Sequence, residues 1–235
     1  MSNSPLVVYT KISPNKTSPR NAKIDTVTIH CLVGQATAES LGAWFAQSST
    51  QASSNYGVDK DGRIGMYVEE KDRSWCTSSG ANDHRAITIE VASDTFHPYA
   101  VTDQAFEGLL TLLTDICQRN GINQLLWKAD KNLIGQQDKQ NMTVHRWFAN
   151  KSCPGDFLYE RHGIIAAEVN KRLSVSSAPA GTGDNPAPWH KDATQWAIKE
   201  KIFNGDGSGN YDWQAPMTRE QVAQMMYNLS RKFRP

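Results

Sequence analysis

The chain is predicted to be an α/β protein: a central mixed β-sheet flanked by helices, followed by a small helical C-terminal module. Three observations lead there. Runs rich in β-branched residues recur at 25–31, 55–60, 63–68 and 86–92; apolar periodicity of helical type recurs at 39–48, 103–119 and 157–173; and composition changes sharply at 174–188. The order strand, helix, hairpin, strand, helix, strand, helix describes a mixed sheet covered by helices.

The first strand, Asp25-Thr-Val-Thr-Ile-His-Cys31, alternates apolar and polar side chains and ends in a histidine and a cysteine. Asp61-Gly62 separates the second and third runs and is a strong hairpin signal. Ala86-Ile-Thr-Ile-Glu-Val-Ala92 is a fourth strand with β-branched residues on alternate positions. For the helix at 103–119, Thr102 or Asp103 can serve as N-cap and Gly121 stands just past the end. A short apolar run, Met142-Thr-Val144, precedes the last helix of the main domain.

The segment Ser174–Pro188 is rich in Ser, Gly and Pro and poor in large apolar residues, so a linker is expected there. The expected domains are therefore 1–174, a linker at 175–188, and a module at 189–235. That last piece carries helical patterns at 192–201 and 218–231 around the Gly-rich turn 204–210. Fewer than fifty residues bury little by themselves, so it is expected to pack against the main domain, another copy or a ligand.

With 25 basic and 24 acidic residues the formal charge is +1, which gives no positive field of the kind nucleic acid requires. No stretch approaches a membrane span, and the N-terminal residues lack the basic and apolar regions of a secretory signal. A soluble cytoplasmic product is expected, without nucleic-acid or membrane partners. Four cysteines are too sparse for a disulfide framework, and Cys31, Cys76 and Cys117 are expected to be reduced.

The chemistry-bearing residues are His30, closing the first strand, and His145 with Cys153 eight positions on, in a loop broken by Pro154-Gly155. Two neutral imidazoles and one thiolate are a ligand set for zinc that leaves a position for water, whose pKa the metal can lower to roughly 7.

Four motifs, Val27-Thr-Ile-His30, Ser53-Ser-Asn-Tyr-Gly-Val-Asp-Lys-Asp-Gly62, Ile87-Thr-Ile-Glu90 and His145-x7-Cys153-Pro154-Gly155, resemble the zinc-dependent N-acetylmuramoyl-L-alanine amidases of type 2. The resemblance spans about residues 20–173 in the family's motif order. It implies the family's mixed-sheet fold, His30, His145 and Cys153 as ligands of Zn2+, and Lys151 as the cation that neutralises an oxyanion at the scissile amide. Several members have a tyrosine near the start of the second strand, where this chain has Ser54; Tyr56, two positions later, does not simply inherit its role. Amidases of phages infecting Gram-positive hosts place a glutamate on an Ile-x-Ile-Glu strand, which makes Glu90 the acid/base candidate, beside apolar Ile87, Ile89 and Val91. Cys76 stands where many members have the histidine of a Trp-His pair lining the substrate groove. Asp83-His84-Arg85 is expected to form a polar loop before the Glu90 strand.

In the C-terminal piece, Trp196–Gly207 and Pro216–Tyr227 are similar to a single S-layer-homology repeat, with Thr218 able to cap the second helix. The resemblance implies binding of a secondary cell-wall polymer, strengthened if copies combine as a homo-oligomer. Residues 204–215 echo a calcium loop, but Ala215 stands where the bidentate glutamate belongs, and a tight turn is the better account. The expected partner is bacterial peptidoglycan and the expected setting a phage or prophage endolysin, held in the host cytoplasm until release to the cell wall. A non-catalytic peptidoglycan recognition protein is the alternative; such proteins replace the metal-binding cysteine. No His-Glu-x-x-His motif argues for a zinc peptidase.

Overall fold

The computed structural model describes residues 2–177, 191–205, 211, 213 and 217–232. The chain divides into two compact units, Met1–Ser174 and Val175–Pro235. No helix among the described residues is long and apolar enough to cross a membrane.

The first unit is built on a six-stranded sheet of order β1-β5-β4-β7-β3-β8. Its strands are β1 (Val7–Thr10), β3 (Thr26–Cys31), β4 (Tyr56–Val58), β5 (Ile64–Met66), β7 (Ala86–Val91) and β8 (Met142–Thr143). The β4–β5 pair is antiparallel and every other pairing is parallel, so the sheet is mixed, as expected from sequence. A separate two-stranded ladder joins β2 (Lys16–Thr17) to β6 (Arg73–Ser74). The hairpin turns at Asp61-Gly62, where Asp59 Oδ1 accepts the backbone N–H groups of Asp61 and Arg63. Gly62 has φ +81°, and a Cβ there would approach the Gln104 carbonyl to 2.5 Å, so the turn requires glycine.

The helices of this unit are α1 (Ala38–Phe45), α2 (Gly80–Arg85), α3 (Asp103–Asn120) and α4 (Gly155–Ser177). Thr37 and Ser40 form a reciprocal capping box on α1. Thr102 caps α3 by accepting the Ala105 N–H, and the Gly121 N–H closes its end on the Cys117 carbonyl. Residues 175–177, the first of the segment expected as a linker, continue α4, since no Pro or Gly interrupts the chain before Pro179. The rest of that segment, and most of the Gly-rich turn and calcium-like loop, lie outside the described residues.

Alternation on β3 and β7 divides the sheet into two faces. Val27, Ile29, Ile87, Ile89 and Val91 join Leu109, Leu112, Leu113 and Ile116 of α3 and Leu158, Ile165 and Val169 of α4 in one apolar core. Removal of these side chains from water is the main driving force, about 1.5–3 kcal/mol for each large one. The opposite face carries Thr28, His30, Thr88 and Glu90, and its hydroxyls are paired within the face: Thr28 with Thr143 at 2.7 Å, Asn82 with Thr28 at 3.0 Å, Ser74 with Thr88 at 2.7 Å. The fold thus provides a rigid polar floor at whose rim His30 and Glu90 emerge.

The second unit contains α5 (Lys191–Lys199) and α6 (Arg219–Lys232). Thr218 and Gln221 form a full capping box on α6: the Thr218 hydroxyl accepts the Gln221 N–H at 3.2 Å and the Gln221 side-chain oxygen accepts the Thr218 N–H at 2.7 Å. The Asn228 amide donates to the Ile202 carbonyl at 3.0 Å.

Candidate metal centre

Strand register places the first two side chains. His30 on β3 lies opposite Glu90 on β7 in parallel pairing, so both point to the same face at the carboxyl ends of their strands. His30 Nδ1 stands 3.8 Å from Glu90 Oε1.

His145 and Cys153 come from one closed loop. Residues His145–Trp147 form a 3-10 turn, anchored by buried Trp147, whose ring lies 5.1 Å from that of Trp127 with planes 4° apart. The Arg146 N–H donates to the Cys153 carbonyl at 3.1 Å, and the Arg146 guanidinium bridges the Ser152 carbonyl and Asp156 Oδ1 at 2.6 and 3.0 Å. At the start of α4, Gly155 has φ +76°, and a Cβ there would meet the Tyr99 Cβ at 2.7 Å. This tight turn returns the sulfur to the imidazole.

Cys153 Sγ lies 3.3 Å from His30 Nδ1, the His30 and His145 rings are 5.1 Å apart, and one donor atom from each of the three residues falls within 4.8 Å of the others. Zinc bond lengths of 2.0–2.3 Å imply donor separations of about 3.4–3.8 Å around a tetrahedral ion. Two imidazoles and one thiol at these spacings fit zinc. His145 Nε2 is 3.3 Å from the Ser78 hydroxyl, which, in the tautomer protonated at Nε2, frees Nδ1 for a ligand.

The electrostatics agree. Burial, with a smaller push from His145, lowers the His30 pKa to about 3; burial also lowers His145, opposed by the Asp83 charge and assisted by that of Lys151. Both imidazoles are therefore neutral near pH 7, the form that coordinates metal. Burial pushes the Cys153 thiol well up, so ionisation there calls for a cation. Glu90 is raised to about 8, mainly by burial, with Cys31 adding to it. Glu90 Oε2 and His30 Nε2 are buried without a hydrogen-bond partner.

A profile described as N-acetylmuramoyl-L-alanine amidase matches residues 20–156, a span that includes all of these positions. The chain belongs to this amidase family. It is accordingly a peptidoglycan amidase, a hydrolase of the bond that the family's name describes. Among solved structures, the Staphylococcus aureus hydrolase AmiA in complex with its ligand matches with TM-score 0.52 and 15% identity, covering 72% of this chain and 83% of that one. A selenomethionine derivative of AmpD matches with TM-score 0.50 and 20% identity over 71% of this chain and 99% of that one. The endolysin LysCS from Clostridium intestinale URNW matches with TM-score 0.47 and 19% identity over 70% and 93%. The first two likenesses show the shared fold. No curated protein sequence matches the chain.

Of the residues singled out from the sequence of this amidase, His30, His145, Cys153 and Glu90 converge. Lys151 is exposed on the loop between the last two ligand candidates, with its charge felt at His145. Tyr56 is fully buried and its hydroxyl donates to Glu70 at 2.7 Å, a core role away from the centre. All four cysteines are free thiols.

The expectation of a polar loop at Asp83-His84-Arg85 is corrected. These residues end helix α2, which Ser79 caps, and Asp83 is buried. Its carboxylate accepts the N–H groups of Cys76 and Thr77 at 3.0 and 3.1 Å and the Thr77 hydroxyl at 2.6 Å. Asp83 thereby holds the segment that carries Cys76 and Ser78 against the centre. Ser78 itself has φ +62°, a left-handed conformation uncommon for a non-glycine residue. Neither role was visible in sequence, where a six-residue helix leaves no periodic signal; the one available cue was the N-cap serine.

Proposed function

We propose that this amidase is zinc-dependent and acts as a phage or prophage endolysin, with His30, His145 and Cys153 holding the ion and Glu90 and Lys151 serving the reaction. The observation that carries the reading is the convergence of the three donor atoms within 4.8 Å with Glu90 Oε1 3.8 Å from His30 Nδ1. A zinc ion held there supplies Lewis acidity and an acidified water.

The protein's own side chains supply the rest. Glu90, the carboxyl beside the centre, takes the proton from the attacking water and passes it to the leaving L-alanine nitrogen. Burial raises its pKa to about 8, with the Cys76 thiol opposing that shift, which suits a carboxyl that both takes and gives a proton near neutrality. The Lys151 ammonium meets the negative charge that develops on the carbonyl oxygen, an interaction stronger in the transition state than in the ground state. The Ser78 hydroxyl, 3.3 Å from His145 Nε2, is placed to hold the ring's orientation while Nδ1 faces the ion.

The endolysin role is supported by the Ile87-Thr-Ile-Glu90 strand, which resembles amidases of phages infecting Gram-positive hosts. In that setting the protein waits in the host cytoplasm until it reaches the wall. The second unit, similar in sequence to one S-layer-homology repeat, is a wall-polymer binding or oligomerising module. Mass spectrometry of digested wall tests the reaction: muramoyl glycan freed of peptides that begin with intact L-alanine is expected, and cleavage inside the stem peptide contradicts it.

A further inference from the structure

Cys76 stands where the resemblance leads one to expect a histidine, and its surroundings differ from those of an ordinary buried thiol. Its Sγ is 3.8 Å from Glu90 Oε1, which is itself 3.8 Å from His30 Nδ1, and the three donor atoms of His30, Cys76 and Glu90 all lie within 4.8 Å of one another. Around a tetrahedral ion, nitrogen, sulfur and oxygen donors sit about 3.4–3.6 Å apart. The two 3.8 Å separations exceed that by a few tenths of an ångström, and the third lies within 4.8 Å, so side-chain adjustment closes the set around an ion. One further observation points to an unmet ligand demand: Glu90 Oε2 is buried with no partner. The Cys76 backbone is held in place by its N–H bond to Asp83 at 3.0 Å.

We propose that His30, Cys76 and Glu90 form a second, alternative seat for a thiophilic divalent cation beside the His30, His145 and Cys153 seat. The two seats exclude each other, because His30 Nδ1 is the nitrogen adjacent to both Cys153 and Glu90 and can bind one ion at a time. Coordination releases the Cys76 thiol proton, and the proton on Glu90 where it carries one, to solvent, and the ion takes their place. An ion in this seat occupies the carboxylate that Glu90 otherwise uses for proton transfer, so soft cations in excess hold the enzyme in an inactive form. A sulfur, nitrogen and oxygen donor set favours zinc and cadmium over magnesium or calcium.

This proposal shares with the zinc reading above the ligand His30 and the proton-transfer group Glu90, and the test separates the two seats through their different cysteines. Cadmium is added to the purified full chain and to Cys153→Ala, Cys153→Ser, Cys76→Ala and the Cys76→Ala/Cys153→Ala pair, with circular dichroism confirming that each is folded. Thiolate-to-cadmium charge-transfer absorbance is recorded. Both Cys153 variants are expected to keep a band of single-thiolate intensity that falls to baseline in the double variant. Baseline absorbance in both Cys153 variants overturns the second seat, as does a band that persists in the double variant, where Cys31 and Cys117 remain. A band in the Cys153 variants together with none in Cys76→Ala overturns the first seat and leaves the second standing.

Discussion

Cys153 Sγ and His30 Nδ1 stand 3.3 Å apart although 123 residues separate them in the chain. One comes from the end of a central strand and the other from a loop locked by the Arg146 N–H to Cys153 carbonyl bond. His30 lies on the polar face of the sheet, and Cys153, partly buried, packs only against the outside of the apolar core that α3 and α4 form, so a near-isosteric change there leaves that core in place. Cys153→Ser is therefore expected to leave the circular dichroism spectrum and cooperative unfolding nearly unchanged while weakening zinc affinity sharply and abolishing lysis. Full lysis by a folded Cys153→Ser protein would exclude Cys153 as a ligand.

Glu90 is placed by register rather than by a hydrogen bond of its own backbone loop. Glu90→Gln keeps the size and the strand pairing but removes the proton-carrying group. Turnover on wall fragments is expected to fall by a factor on the order of 10²–10⁴, with zinc content unchanged. Turnover within a few fold of the parent would move proton transfer to another group.

Acid sensitivity is expected at Asp72, whose side chain is 1% exposed and accepts from Lys16 Nζ at 2.6 Å and Ser18 Oγ at 2.7 Å. Burial pushes this carboxyl up, but the Lys16 and Ser18 hydrogen bonds and the Lys16 charge more than offset it, leaving the pKa below the ordinary 3.8. A group with a depressed folded pKa stabilises the fold above its unfolded pKa and loses that contribution as pH falls through the folded value. The stability gap between parent and Asp72→Asn, read from urea unfolding at stepped pH, should be widest above about pH 5 and close as the pH drops below about 4. A gap independent of pH would contradict this.

For the second unit, a chain ending at Ser177 retains all of α4. It is expected to cleave small soluble muropeptides at the parental rate and to lyse whole walls more slowly, since only the latter gains from a second point of attachment. Equal lysis of whole walls by both chains would remove the wall-binding role.

Much of this was legible from residue patterns. β3 and β7 announce themselves because apolar Val27, Ile29, Ile87 and Ile89 alternate with Thr28, His30, Thr88 and Glu90, and Asp61-Gly62 marks the hairpin between β4 and β5. Thr102 and Gly121 mark the ends of α3. Strand β1 left little trace, being a short edge strand whose pairing shifts between Val7 and Tyr9. The pairing of His30 with Glu90 depends on register between strands 60 residues apart, which one sequence does not display. The support given by Ser78 and Asp83 arises from tertiary contacts around a short helix, and the place of Cys76, 3.8 Å from Glu90, is likewise a tertiary contact that one sequence does not display.

The central claim is that one divalent ion is held by His30, His145 and Cys153 and is required for hydrolysis. Metal analysis of the purified chain, paired with wall hydrolysis before and after chelation, tests it most directly. About one zinc per chain is expected, with activity lost on chelation and restored by added zinc. A folded protein that carries no metal and still cleaves the wall at full rate in chelator would contradict it.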